Sequence, residues 1–309
     1  MNILYLDRSD PYPYNGYCSY YCEHLEELKK KNNLKLITKP ISHISKVIDK
    51  KYDIIIVGFT YCNYGDRMPI EIINDVDIPI IIILNKEYTG LNKKLQWIKK
   101  IQPKMVFTVH HDVQKYFDIT NIPFYRTMWS CNTDIYKNYG EKYKYDLFFG
   151  GVIRNEQTDN MRRKIYNYFQ NNKSYNVLMK ARLEENNYDG EILKSVDYAK
   201  LLSSSKICIT TTGPADLVSP RYFEIMACNR GIIICNRHNN DKIYDNMLIE
   251  DFNCIMFSTI EEFKEKIDYY LKNENERLKI VNNAFKYFQE NLTIDKHVNK
   301  MIDIIKQNL

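Results

Sequence analysis

The chain has 309 residues, 44% hydrophobic and 27% charged, a composition that argues against disorder and suits one large folded domain or two of about 150 residues. Its 44 basic and 39 acidic side chains leave a formal charge of only +5. So mild a surplus is compatible with a phosphorylated ligand or an anionic membrane surface but does not single out nucleic acid, and no basic run with interleaved aromatics stands out.

The first half reads as alternating strands and helices. Short, nearly continuous apolar runs lie at 2–7 (NILYLD), 34–38 (LKLIT), 53–59 (DIIIVGF), 78–84 (IPIIIIL) and 105–109 (MVFTV). Such runs fit strands buried on both faces of a parallel sheet. Helical periodicity is expected from Cys18 to Lys31 and from Leu91 to Lys100. After Pro123 the pattern becomes irregular, and a second β/α series begins with strands at 145–151, 175–181, 206–212, 231–236 and 253–258. Helices are expected at 158–171, 196–204 and 220–229, then a helical tail over 260–272, 275–290 and 294–308. The layout is two doubly wound α/β units, 1–140 and 141–290, with a last segment, 291–309, long enough to return across the first unit.

The longest apolar run is far too short to span a bilayer, and no targeting segment stands out, so a cytoplasmic protein is expected. Eight cysteines (18, 22, 62, 131, 208, 228, 235 and 254) contain no CxxC pair. Several sit in apolar runs, which favours reduced, buried thiols over disulfides or zinc.

Ligands of doubly wound sheets bind beyond the carboxyl ends of the strands. In the first unit that places Asp10, Asn15 and Gly16, Glu87, and the run His110, His111, Asp112 where chemistry belongs. Adjacent histidines in an extended segment point to opposite sides, which argues against their sharing a metal ion and for a helix-start or site-wall role. In the second unit the positions are Gly150, Gly151 and Arg154, then Lys180 and Arg182, then Gly213 and Pro214 onward.

The stretch TGPADLVSPRYFEIMACNRGIII (212–234) is the most informative. Ser219 and Pro220 form a helix-start pair, with Ser as N-cap, and Gly231 is expected to end the helix. Tyr222, Phe223, Met226 and Ala227 recur on one side, while Arg221, Glu224 and Cys228 fall on the other. A helix N-terminus attracts a diphosphate, Arg221 adds a cationic fork, and a carboxylate one turn further can accept two ribose hydroxyls. A plain Arg221/Glu224 surface pair, worth about 0.3–0.5 kcal/mol, explains the same spacing.

This segment resembles the donor site of GT-B glycosyltransferases, an acid, seven residues, then Glu, here Asp216 and Glu224. KYDLFFGGVIRN is similar to the first strand and Gly-rich turn of that family's donor domain, and the chain from 245 to 293 to its C-terminal run. The likeness covers nearly the whole second half and is nearest to the spore-maturation type of glycosyltransferase-like protein. It implies a GT-B fold: two Rossmann-like parallel-sheet domains facing a cleft, the first for the acceptor and the second for the donor, with 291–309 as crossover helix. It further implies that Glu224 binds ribose, that Arg221, Gly213, Pro214 and Ser219 lie at the diphosphate, and that Asp216 touches the donor sugar. Gly151 and Arg154 would lie under the phosphates, with Lys180 or Arg182 as a second cation. The first acid is usually Glu in this family; here it is Asp.

The implied activity is hexosyltransferase-like, moving a sugar from a nucleotide sugar, with UDP as the expected nucleotide, onto a hydroxyl of a glycan, protein or lipid-linked acceptor in glycan biosynthesis. No DxD pair follows a strand, so no metal is expected, and the Asp216/Glu224 spacing leans toward retention. An inverting enzyme would need a base, for which Asp10, Glu87, His110 and His111 are available. The alternatives are a nucleotide-sugar epimerase of the same fold and a non-catalytic nucleotide-sugar or glycan-binding protein. Trp129 and the tyrosines near 136–145 are expected in interdomain packing.

Overall fold

The computed structural model describes residues 1–7, 20–39, 41–58, 75–84, 87, 90–153, 160–183, 193–213, 216–245 and 247–309. These residues divide into two compact units: the described residues up to Met128 together with Ile294–Leu309, and Trp129–Thr293. The first division falls some dozen residues ahead of residue 140.

The first unit holds a parallel six-stranded sheet, order β2-β1-β3-β4-β5-β6. Its strands are β1 (Asn2–Leu6), β2 (Asn33–Ile37), β3 (Ile54–Val57), β4 (Ile80–Ile83), β5 (Met105–Thr108) and β6 (Phe124–Arg126). Every residue of β3, β4 and β5 is buried, which is why their sequences are apolar without alternation. The helices are α1 (Tyr20–Lys31), α2 (Leu91–Ile101), α3 (Val113–Thr120) and the C-terminal α9 (Ile294–Asn308). Helix α9 packs on α1, and Lys31 Nζ donates to Asn299 Oδ1 at 2.7 Å.

Two elements here have no counterpart in the sequence reading. Strand β6 has three residues and pairs only with β5, too short to show a period. Helix α3 buries only Tyr116 and Thr120, so it carries no apolar stripe. Its start is nevertheless written in the sequence, because Asp112 caps it by accepting the Lys115 N–H at 3.2 Å.

The second unit is a parallel five-stranded sheet, order β11-β10-β9-β7-β8. Its strands are β7 (Tyr145–Ile153), β8 (Val177–Leu183), β9 (Ser205–Thr210), β10 (Ile232–Asn236) and β11 (Ile255–Phe257). Helices α4 (Asn160–Asn171), α5 (Ser195–Ser203), α6 (Arg221–Cys228), α7 (Ile260–Lys272) and α8 (Glu274–Asn291) complete it. One core layer joins Leu147, Phe149, Ile207 and Ile234 of the sheet to Ile165, Phe169 and Phe263 of α4 and α7. Each such side chain contributes roughly 1.5–3 kcal/mol by burial.

In both sheets the chain order reverses once among the central strands, between β1 and β3 and between β7 and β9. Those two switch points, at the carboxyl ends of the strands, are where doubly wound folds receive ligands. Among the described residues no helix is long and apolar enough to cross a membrane. The six described cysteines are buried.

Candidate functional site

At the switch point of the second unit, β7 outruns its neighbour. Its pairing with β9 stops at Phe149↔Ile209, whereas its pairing with β8 continues to Ile153↔Leu183. Gly150 and Gly151 therefore lie within a strand and not in a turn after it, as the sequence reading had placed them. Gly151 adopts φ +113°, a conformation few other residues tolerate. A Cβ built there would come within 3.1 Å of both terminal nitrogens of the Arg221 guanidinium. The absence of a side chain is what lets that cation lie on the backbone of β7.

Buried Arg162 of α4 secures the gap between the diverging strands. Its Nη1 donates to the Val152 carbonyl at 2.8 Å, its Nε to Thr211 Oγ1 at 2.8 Å, and its Nη2 to the Thr211 carbonyl at 3.2 Å. Asn236, ending β10, holds the next residue by accepting the Thr212 N–H at 3.0 Å. The loop that follows β9 is closed by Gly213 N–H donating to the Leu217 carbonyl at 2.7 Å.

Helix α6 leaves this loop. Six of its eight residues are buried, and the two that are not are Arg221 and Glu224. Cys228, expected beside them, is instead buried, its thiol toward the Ala199 carbonyl, because α5 packs along that side of the helix. The helix begins one residue later than expected: Pro220 is the N-cap, and the Ser219 hydroxyl makes no hydrogen bond among the described residues. Asn229, with φ 49°, supplies the left-handed C-cap assigned to Gly231. Gly231 serves packing, since a Cβ there would come within 2.6 Å of Cys208 Sγ.

Arg221 Nε donates to Tyr198 Oη at 3.1 Å, which orients the guanidinium. Burial pushes the Glu224 carboxyl up to about 7, against the opposing pull of Arg221 and a hydrogen bond from Tyr136. Tyr136 and Tyr198 pack edge to face, with ring centroids 6.3 Å apart. Two tyrosines thus hold the ends of the Arg221/Glu224 pair.

Asp216 sits in the same loop with φ 56°, and its Oδ1 lies 3.1 Å from His238 Nε2, in the loop after β10. Lys180 is exposed on edge strand β8, opposite Gly150 in register. Arg182 belongs to β8, but its side chain lies outside the described residues, as do Asp10, Asn15, Gly16, Arg154 and Pro214.

In the first unit the structure brings Glu87 and His110 together through Thr108. The Thr108 hydroxyl donates to Glu87 Oε1 and accepts the His110 N–H at 3.1 Å. Burial raises the Glu87 pKa, opposed by the Thr108 hydrogen bond. The Asp112 N–H donates to His110 Nδ1 at 3.0 Å, so neutral His110 carries its proton on Nε2 and presents a donor. The rings of His110 and His111 stack, centroids 4.4 Å apart at 20°, contrary to the opposed directions expected of an extended segment. The chain has left β5 by this point and bends into the α3 cap. Among the described residues no group of three or more His, Cys, Asp or Glu side chains is placed to hold a metal ion.

Residues 154–303 match the family described as "Glycosyl transferase-like". HepE of Anabaena, crystallised in complex with UDP-glucose, is 11% identical with a TM-score of 0.61, both chains being covered in full. The DNA-modifying enzyme β-glucosyltransferase, solved with and without uridine diphosphoglucose, gives 9% identity and a TM-score of 0.62 over 100% of this chain and 99% of that one. The chain has the two-domain fold of these glycosyltransferases. A glycosyltransferase of Rickettsia africae matches at 13% identity and a TM-score of 0.54, over 99% of this chain and 98% of that one. No curated protein sequence matches.

Four residues around the candidate site were given no site role from the sequence: Tyr136, Arg162, Tyr198 and His238. Tyr136 had been grouped with interdomain packing, but it is buried within the second unit against Tyr198 and Glu224. None of the four follows a motif spacing, and each reaches the site only through the strand order. His238 carried the one usable signal, a polar side chain two residues past a buried strand.

Proposed function

We propose that the chain transfers a sugar from a nucleotide sugar, with UDP as the nucleotide, to a hydroxyl acceptor, the donor lying at the switch point of the second unit. The Arg221 guanidinium laid on Gly151, with Glu224 one turn further along α6, is the observation that carries this reading. It gives a diphosphate a cation, an open backbone and a helix N-terminus, and gives a ribose a carboxylate within a few ångströms. The ligands named for HepE and β-glucosyltransferase support UDP.

In this reading Glu224 accepts the ribose hydroxyls, Asp216 faces the donor sugar, and Lys180 lies on the phosphate side. As the glycosidic bond breaks, charge grows on the leaving diphosphate. Arg221 and the first N–H groups of α6 take it up, so the reaction proceeds without a metal ion. The first unit receives the acceptor. Retention of configuration follows the Asp216/Glu224 spacing, and His110, whose Nδ1 accepts the Asp112 N–H, is a poor candidate for the base that inversion requires.

Calorimetry with UDP, followed by a mass-spectrometric screen of nucleotide sugars for release of nucleoside diphosphate, tests the reading. Binding of UDP with release of diphosphate is expected. No binding of any nucleotide or nucleotide sugar would remove it, and conversion of donor to an isomer without release would favour an epimerase.

A further inference from the structure

We infer that His238 is a positioning residue for donor binding, holding the Asp216 carboxylate at the sugar half of the nucleotide sugar; this rests on the donor-site reading above. The pair joins the loops that follow two adjacent strands, β9 and β10, beside the switch point.

The imidazole has a defined proton. Its Nδ1 accepts the Asn240 N–H at 3.1 Å, so the neutral ring carries its hydrogen on Nε2, the atom 3.1 Å from Asp216 Oδ1. The backbone beneath it is anchored as well. Arg237 N–H donates to the Phe257 carbonyl at 2.7 Å, and the Arg237 guanidinium binds Ser258 at 2.8 Å and Glu250. His238 thus enters from a fixed strand end.

Asp216 needs such a partner. It holds a left-handed φ of 56°, in a short loop closed by the Gly213 to Leu217 hydrogen bond. Its side chain is 43% exposed and that of His238 23%, so as an ion pair the two add little to stability. What the contact does provide is direction. With Oδ1 engaged by His238, Oδ2 is left to accept from a sugar hydroxyl, and the Asp, a methylene shorter than Glu, is kept from swinging away.

The test compares UDP with UDP-glucose by calorimetry on the parent, His238→Ala, His238→Gln and Asp216→Asn proteins, with circular dichroism to verify folding. Glutamine places an amide N–H where Nε2–H lies, so it preserves the donor without the ring. We expect His238→Ala and Asp216→Asn to weaken UDP-glucose about tenfold, with UDP affinity unchanged. His238→Gln should stay within about twofold of the parent. Unchanged UDP-glucose affinity in His238→Ala, equal losses for both ligands, or no rescue by glutamine would each overturn the inference. A parent that binds UDP but gains nothing from the sugar would overturn it while leaving the nucleotide site standing. A parent that binds neither removes both.

Discussion

Glu224→Gln is expected to make the protein more stable and a poorer binder of nucleotide. Burial raises the Glu224 carboxyl from 4.5 to about 7, and Arg221 and Tyr136 only partly offset this. The folded state therefore holds a proton that the unfolded chain releases above pH 4.5. Stability from this group is fully present below pH 4.5 and is lost as pH rises through about 7. A shift of that size corresponds to roughly 3 kcal/mol at pH 8, and about 2 kcal/mol once the partial exposure of the carboxyl is discounted. Glutamine is nearly isosteric, keeps an oxygen for the Tyr136 hydroxyl and carries no charge. Urea unfolding at pH 4.5 and pH 8, in a Trp97→Phe background so that Trp129 reports on the second unit, should show parent and variant equal at the lower pH. At the higher pH the variant should be ahead by about 2 kcal/mol. The same substitution removes the anionic acceptor for two ribose hydroxyls and should weaken UDP by about ten- to a hundredfold. A variant no more stable than the parent at pH 8 would refute the buried-carboxylate argument, and unchanged UDP affinity would remove Glu224 from the nucleotide site.

Arg221→Lys keeps the charge but loses the Nε–H donated to Tyr198 and the planar fork over Gly151, so UDP affinity measured by calorimetry should fall about tenfold with little loss of stability. Gly151→Ala introduces a Cβ at φ +113° and 3.1 Å from the guanidinium; urea unfolding should show a loss of about 1–3 kcal/mol, accompanied by weaker UDP binding. His24 of α1 and His297 of α9, whose pKa values burial lowers to about 3 and about 4, stay neutral in the fold while the unfolded chain takes up protons below 6.5. Their contribution is intact above pH 6.5 and falls by up to about 1.4 kcal/mol per pH unit per histidine as pH drops toward 4, and His24→Leu should flatten the urea midpoint against pH over that range.

The strands of both sheets were legible because parallel strands covered on two faces need unbroken apolar runs, and Ile54–Val57 or Ile232–Asn236 can be little else. Helix α9, with five buried residues, was legible to the residue, and so was α7, whose buried Phe263 and Ile267 are joined on the same core by half-buried Ile260, Tyr270 and Leu271. Helix α3 was not, since its two buried residues make no pattern, and neither was β6, whose three residues are strand only because β5 lies beside them. Within the site, Arg221 and Glu224 could be read because they interrupt the packing period of α6. The assignments that failed were those where local rules compete with packing. Ser219 is a good capping residue in any sequence, yet the loop leaves its hydroxyl unused and Pro220 takes the cap. Gly231 looks like a helix stop, but Cys208 beneath it claims the missing side chain.

The two strand-end sites differ in a way that bears on what each can do. In the first unit Thr108 links the Glu87 carboxylate to the His110 backbone N–H, and the Thr108 hydroxyl and His110 Nδ1 are both committed within the protein. In the second, Arg221 rests on bare backbone and Glu224 carries a carboxyl near neutrality, each steadied by a single tyrosine hydroxyl. Evolutionarily cheaper arrangements exist for a merely structural helix: an apolar residue at 224 would spare the burial of charge, and a side chain at 151 would close the gap under Arg221. A ligand that brings hydroxyl donors to Glu224 and phosphate oxygens to Arg221 would stabilise both groups at once. That coupling is why loss of either side chain should cost more in nucleotide affinity than in folding, and why stability should rise in Glu224→Gln while binding falls.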